Sequence, residues 1–139
     1  TVRRALDGLA DRGVERVEGE VLPDDLDRIT DTVRMLIDRG VEMIVTVGGT
    51  GVTHTDCTVE AIAPMLDIEI PGIMEEARRY GMERTPYAMM SRGVAGLIED
   101  TLVVTFPGSS SGARETCEAL LPDVLHVLRT RRRSRRELV

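Results

Sequence analysis

Two glycine-rich stretches hold most of the residues in this sequence that are equipped for chemistry. The first, Gly48-Gly49-Thr50-Gly51-Val52-Thr53-His54-Thr55-Asp56, directly follows the apolar run Met43 to Val47. Glycines let backbone N–H groups approach an anion closely, and Thr50, Thr53 and Thr55 add hydroxyl donors. The second, Pro107-Gly108-Ser109-Ser110-Ser111-Gly112, follows the apolar run Thr101 to Phe106 and opens a helical pattern. Free N–H groups at a helix start, beside three serines, make a site for phosphate or carboxylate. Either stretch alone also reads as a plain turn. Two of them at strand ends are the stronger sign of an anionic ligand, because ligands of open α/β sheets bind outside the carboxyl ends of the strands.

Phosphates bound by loops on an acidic chain need a counter-cation. The sequence contains no Lys, Asn, Gln or Trp. That excludes a P-loop lysine, a Schiff base, a lysine general base and a glycosylation sequon. Mg²⁺ is the expected cation, with Asp24 and Asp56 as its candidate ligands. Each also reads as the N-cap of the helix that follows it, near Leu26 and Thr58 respectively. His54, Asp56 and Cys57 lie within four residues but have no distant histidine partner, which is poor zinc spacing. His126 reads as a surface or core residue. Cys57 and Cys117 form no CxxC and suggest no disulfide framework, so a reducing cytoplasm fits best.

Periodicity supplies the elements that must position these loops. Residues 2–12 present Val2, Leu6, Leu9 and Ala10 at helical spacing, with Gly13 as a stop. Val14 to Val21 is strand-like. Asp24, Asp25 and Asp27 then open a helix with the stripe Leu26, Ile29, Val33, Leu36 and Ile37, closed by Gly40. Met43 to Val47 predicts a strand buried on both faces of a parallel sheet. Thr58–Leu66 and Gly72–Tyr80 predict two short helices, with DIEI as a connector between them. Val94–Ile98 and Thr101–Phe106, separated by Glu99-Asp100, predict an antiparallel hairpin. A last helix buries Cys117, Leu120, Leu121, Val124, Leu125 and Leu128. This alternation predicts an α/β fold of three layers, α/β/α, with a mostly parallel sheet and an antiparallel hairpin near the C-terminal end.

A length of 139 residues fits one domain, expected over residues 1–128 with a basic tail at 129–139. The formal net charge is −6, yet residues 1–128 carry 12 Arg against 23 acidic residues, a net −11. That body repels nucleic-acid backbones. The run RTRRRSRR from Arg129 to Arg136 has no aromatic residue for stacking and reads as a solvated helix end. No apolar run approaches the roughly 18 residues that span a bilayer, so neither a transmembrane segment nor a signal peptide is expected.

The strings GGTGVTHTDCTVEAI, IPGIMEEAR, TPYAMMSRGVAG, LVVTFPGSSSGARE and CEALLPDVLHVL, in this order, resemble the molybdopterin adenylyltransferase family of molybdenum-cofactor biosynthesis. This is the MogA/MoaB group, to which the gephyrin G domain belongs, and the likeness runs from Val14 to Leu128. The resemblance implies that ATP and molybdopterin, a dithiolene pterin monophosphate, react with Mg²⁺ present to give adenylyl-molybdopterin and pyrophosphate. It implies substrate loops at Gly48, Gly49, Thr50, Gly51 and Thr53 and at Pro107, Gly108, Ser109, Ser110, Ser111 and Gly112. It implies essential acids at Asp24 and Asp56, which organise Mg²⁺ and orient substrate. Ser91 and Arg92 match the family's Ser-Arg pair, where Arg92 reads either as a phosphate fork or as half of a structural ion pair. A homotrimer is the expected assembly, and Met74, Met82, Met89 and Met90 are candidates for its interface or for the core.

One departure stands out. The family begins with an apolar strand and a Ser-Asp-containing loop ahead of the helix that here starts at Thr1. The expectation is therefore a longer polypeptide, with a fused cofactor-biosynthesis domain as one form of it; an intact mass above 15.3 kDa tests this. Three other functions compete with the enzyme. A non-catalytic pterin-binding or trimeric scaffold module keeps the loops without needing both aspartates. A dinucleotide-binding domain lacks its GxGxxG motif here. An RNA-binding role for the arginine tail requires steep salt dependence.

Overall fold

The run Thr101–Phe106, apolar apart from two threonines, becomes the middle of the sheet. In the computed structural model, which describes residues 1–137, this strand β4 (Thr101–Phe106) is buried at all six positions. β1 (Met43–Val47) pairs with it in parallel, β3 (Ala95–Ile98) pairs with it antiparallel, and β2 (Ile68–Glu69) pairs antiparallel with the far side of β3. The order is β1-β4-β3-β2. Val47 lies opposite Phe106, so β1 and β4 end at the same level and release their glycine-rich loops side by side.

Alternation along the strands divides the core in two. Leu102, Val104 and Phe106 face α4 (Pro71–Met82) and α5 (Ser110–Leu120), where Met74, Ala77, Cys117 and Leu120 complete one cluster. Val103, Ile44 and Ile98 face α2 (Leu26–Asp38) and α3 (Thr58–Ile62), meeting Ile29, Val33, Ile37 and Ile62. Each such side chain contributes about 1.5–3 kcal/mol by leaving water. The result is the three-layer α/β/α arrangement with its C-terminal hairpin. Two residues, Glu99 and Asp100, turn that hairpin; Glu99 takes a left-handed φ of 55°, and its N–H donates to the Asp67 carboxylate at 2.7 Å.

Several local expectations need correction. Val14–Val21 is irregular and pairs with no strand; its valines stand three and four residues apart, which cannot line one face of a period-2 strand, and Val21 is fully exposed. β1 packs against both core layers, Ile44 on one face and the partly buried Met43 and Val45 on the other, but among the described residues it is an edge strand paired with β4 alone, and Val47 at its end is 53% exposed. DIEI contains β2, seated so close to β3 that a Cβ at Gly96 would stand 2.1 Å from the Ile68 carbonyl oxygen. The expected last helix is two, α5 and α6 (His126–Glu137), because Pro122 cannot continue α5. The first helix, α1 (Val2–Asp7), is shorter than predicted and is followed by a 3-10 turn at Ala10–Arg12.

The arginine tail is helical to Glu137, and the last two residues of the expected tail, 138–139, lie outside the described residues. It is not simply solvated. Arg131 and Arg135 both bind Asp100, at 2.9 and 2.7 Å, and Arg132 binds Glu42. These acids sit at the end of the sheet opposite the glycine loops. Among the described residues no helix is long and apolar enough to cross a membrane.

Candidate functional site

Glycine is required at the loop positions for stated reasons. Gly48 (φ 100°) donates its N–H to the Phe106 carbonyl at 2.9 Å, which carries the β1–β4 pairing one residue beyond the strands. Gly49 also lies in the left-handed region (φ 69°), and a Cβ there would come within 2.1 Å of the Thr58 hydroxyl oxygen. A Cβ on Gly108 would come within 3.0 Å of the Gly48 Cα. The two loops, 60 residues apart in sequence, thus touch backbone to backbone at the carboxyl ends of the parallel pair.

Asp56 is held by its own loop. Its Oδ2 accepts from the Thr53 N–H at 2.8 Å and from the Thr53 hydroxyl at 2.7 Å. The Thr53 hydroxyl first, and its N–H second, keep the Asp56 carboxyl below the usual aspartate range. The helix-cap reading fails: Cys57 is the N-cap residue of α3. It fails for Asp24 too, since the α2 cap is Asp25, whose carboxylate accepts from the Arg28 N–H at 2.9 Å. Asp24 is exposed. Burial, and then the charges of Asp24, Glu60, Asp25 and Asp56, push the Cys57 thiol up, which makes it a poor nucleophile.

Arg92 is a brace rather than an open phosphate fork. Its Nε donates to the Gly51 carbonyl at 2.7 Å, its terminal nitrogens pair with Glu60, and its own N–H donates to the Thr50 carbonyl at 2.8 Å. Those three interactions fix the shape of the glycine loop, and a phosphate would have to displace Glu60 to reach the guanidinium.

Beneath the loops lies a pocket of about 250 Å³ between α4 and α5. Of the residues expected to bind substrate, Thr50, Gly51, Ser91, Pro107, Ser109, Ser111 and Gly112 line it. Ser109 also caps α5, accepting from the Gly112 N–H at 3.1 Å. Gly48, Gly49 and Gly108 support the loops from below, and Ser110 is the first residue of α5. Thr53, Arg92, Asp24 and Asp56 are not among the lining residues; Thr53, Asp56 and Arg92 belong to the hydrogen-bonded structure of the glycine loop. Sequence reasoning missed Met74, Arg78, Tyr87, Glu115 and Thr116, which also line the pocket. Only the packing of α4 on α5 brings them together, although the i, i+4 spacing of Met74 and Arg78 would have placed both on one face of α4.

Among the described residues no group of three or more His, Cys, Asp or Glu side chains is arranged to hold a metal ion by itself. Mg²⁺ does not need one: it usually binds through one or two carboxylates together with substrate phosphates. The hard, ionised oxygen donor at Asp56 fits that role.

A mixed α/β/α domain with two glycine-rich loops meeting at the ends of its parallel strands, over a pocket with both apolar and polar walls, has the form of a small-molecule-binding domain. The particular family follows from comparison. Residues 4–126 match the model of a molybdenum-cofactor biosynthesis family described as a probable molybdopterin binding domain, and the chain belongs to that family, of the MogA/MoaB type. Over 106 residues, 76% of this chain, it is 41% identical to a molybdenum cofactor biosynthesis bifunctional protein of Chlorobaculum tepidum. It is 36% identical over 109 residues, 78% of this chain, to gephyrin of Dictyostelium discoideum. It spans 34% of the first relative's length and 15% of the second's. A solved structure of MogA superposes with a TM-score of 0.85 at 32% identity, covering 94% of this chain and 86% of that one. MoaB of Thermus thermophilus superposes at 0.73 with 44% identity, covering 78% and 69%.

Proposed function

We propose that this chain is the adenylyl-transferring domain of molybdenum-cofactor biosynthesis, joining ATP and molybdopterin with Mg²⁺ present. The observation that carries the reading is the contact of the two strand-end loops at Gly48 and Gly108, with Asp56 fixed by Thr53 on one side and the start of α5 on the other. An in-line reaction between two phosphate-bearing molecules calls for two anion-binding loops side by side, and the contact of these two loops supports that reading. An oxygen of the molybdopterin phosphate attacks the α-phosphorus of ATP, the bond from that phosphorus to the bridging α–β oxygen breaks, and pyrophosphate leaves.

In this reading the protein contributes positioning and charge placement, with no covalent step of its own. The N–H groups opening α5 and the Ser111 hydroxyl hold one phosphate at the pocket mouth. Thr50 and the backbone of Gly51, braced by Arg92, hold the other. Asp56 and Asp24 would hold Mg²⁺, which when bound neutralises phosphate charge. The relatives that carry further domains support a fused polypeptide around this chain. Exposed Tyr87, Met89 and Met90, with Met82 nearby in sequence, support assembly into a homotrimer; Met74 is a core residue. Pyrophosphate release from Mg-ATP, with and without molybdopterin, tests the activity, and Asp56→Ala tests the role of the acid.

A further inference from the structure

A second cavity, of about 390 Å³, is lined by Arg12, Pro122, Asp123, His126 and Arg129 and shares no residue with the pocket between α4 and α5. Packing brings these residues together from distant parts of the chain. Val2 and Ala5 of α1 rest on the core cluster that holds Cys117 and Leu120 of α5, so the 3-10 turn at Ala10–Arg12 reaches the turn that follows α5. His126 opens α6, and Arg129, three residues on, shares its face. The 11 residues of α5, at about 1.5 Å each, put roughly 16 Å between this cavity and the glycine loops.

Charge at this cavity is unbalanced in a way that it is not further along α6. There Arg131 and Arg135 pair with Asp100, Arg132 with Glu42 and Arg133 with Glu137. Among the described residues the guanidinium groups of Arg12 and Arg129 have neither an ion pair nor a hydrogen bond, and Asp123, although it lines the same space, pairs with neither of them nor with His126. A guanidinium cannot shed its charge. Two of them left unpaired around one depression, in a chain whose 24 acidic residues outnumber its 18 arginines, keep their donors for an incoming anion. The lining also selects the anion. It has no aromatic residue and a single apolar one, Pro122, so it offers no face on which a nucleobase or other flat ring would stack. Each guanidinium fork matches a pair of phosphate oxygens, and two forks match more than one phosphate group. Asp123 offsets one of the two arginines for a singly charged ion, whereas an anion with charge spread over several oxygens engages both arginines at once.

We propose that this cavity is a second anion site, which holds a compact, ring-free phosphate polyanion of the pyrophosphate kind on Arg12, Arg129 and His126. The site stands apart from the adenylyl-transfer reading and does not depend on it. The chain has two histidines, His54 in the glycine loop and His126 here, so proton NMR reports on the two regions separately. Inorganic pyrophosphate, without Mg²⁺, is titrated into the full chain at constant pH and low salt, with the two ring C–H signals assigned through His54→Gln. The His126 signal should move and saturate, and added salt should weaken the binding. Orthophosphate and sulfate should bind at least tenfold more weakly than pyrophosphate. Arg12→Ser combined with Arg129→Ser should weaken pyrophosphate binding at His126 at least tenfold, and Asp123→Asn should strengthen it, while the His54 signal responds as in the wild type. All three side chains are exposed, so these variants should keep the wild-type thermal midpoint. An unmoved His126 signal, equal binding of sulfate, or unchanged binding in the folded double variant would each overturn the proposal. Tighter binding of ATP than of inorganic triphosphate at His126 would overturn the ring-free class of ligand. The wild-type titrations need no variant and decide the matter even where a variant does not fold.

Discussion

Asp56 shows how a single carboxylate is fixed by its own loop. Thr53 gives it two hydrogen bonds, and a Cβ at Gly51 would approach its Oδ2 to 2.9 Å, so the glycine is there because the carboxylate is. With a folded-state pKa below the unfolded one, the charged form favours the folded loop. Its contribution is complete above the ordinary aspartate range and is lost as pH falls through the lower folded value. The Thr53 amide should therefore stay protected from hydrogen exchange as pH descends through the usual aspartate range and lose protection below it. In Thr53→Val the Asp56 carboxyl, followed by carbon NMR, should titrate closer to the ordinary value. An unchanged titration would show that the threonine hydroxyl does not hold the acid. At this scale the sequence was informative about residue types and silent about partners. The candidates Thr50, Asp56 and the serines are visible in their loops, whereas the engagement of Arg92 with Glu60 depends on residues 32 apart meeting across the fold.

Elements were legible where one local signal dominated. β4 and the hairpin follow from a continuous apolar run broken by two acidic residues, and α2 from its stripe and its acidic start. β2 was not legible, because two residues carry no periodicity and its place depends on Gly96 across the pair. α2 also separates two neighbouring aspartates that look alike in sequence. Asp25 caps the helix, so Asp25→Ala should lower unfolding stability by about 1 kcal/mol. Asp24→Ala should leave stability within roughly 0.5 kcal/mol, as for an exposed residue away from such features, and should abolish pyrophosphate release. Urea denaturation beside the activity assay checks the pair. A reversal, with Asp24 stabilising and Asp25 catalytic, would contradict the division of labour read from the cap.

For the molecule as a whole, the glycine loops and the ion pairs of the arginine tail lie at opposite ends of the sheet. The glycine loops sit at the carboxyl end of the parallel pair, while the arginines of α6 neutralise Glu42 and Asp100 at the other end. At the pocket, Tyr87, which lines it, and Met89 are 73% and 63% exposed on one 3-10 turn, a pattern that fits cover by a second copy. Sedimentation equilibrium should give three times the chain mass, and Met89→Glu should shift it toward the monomer. A wild-type monomer at micromolar concentration would remove the assembly from the account.

The central claim is that the paired loops bring two phosphates together for adenylyl transfer, and pyrophosphate release tests it most directly. With ATP and Mg²⁺, the protein should release pyrophosphate only when molybdopterin is added, and Asp56→Ala should reduce that release at least a hundredfold while still folding. Tight pterin binding with no release, or release unaffected by Asp56→Ala, would contradict it.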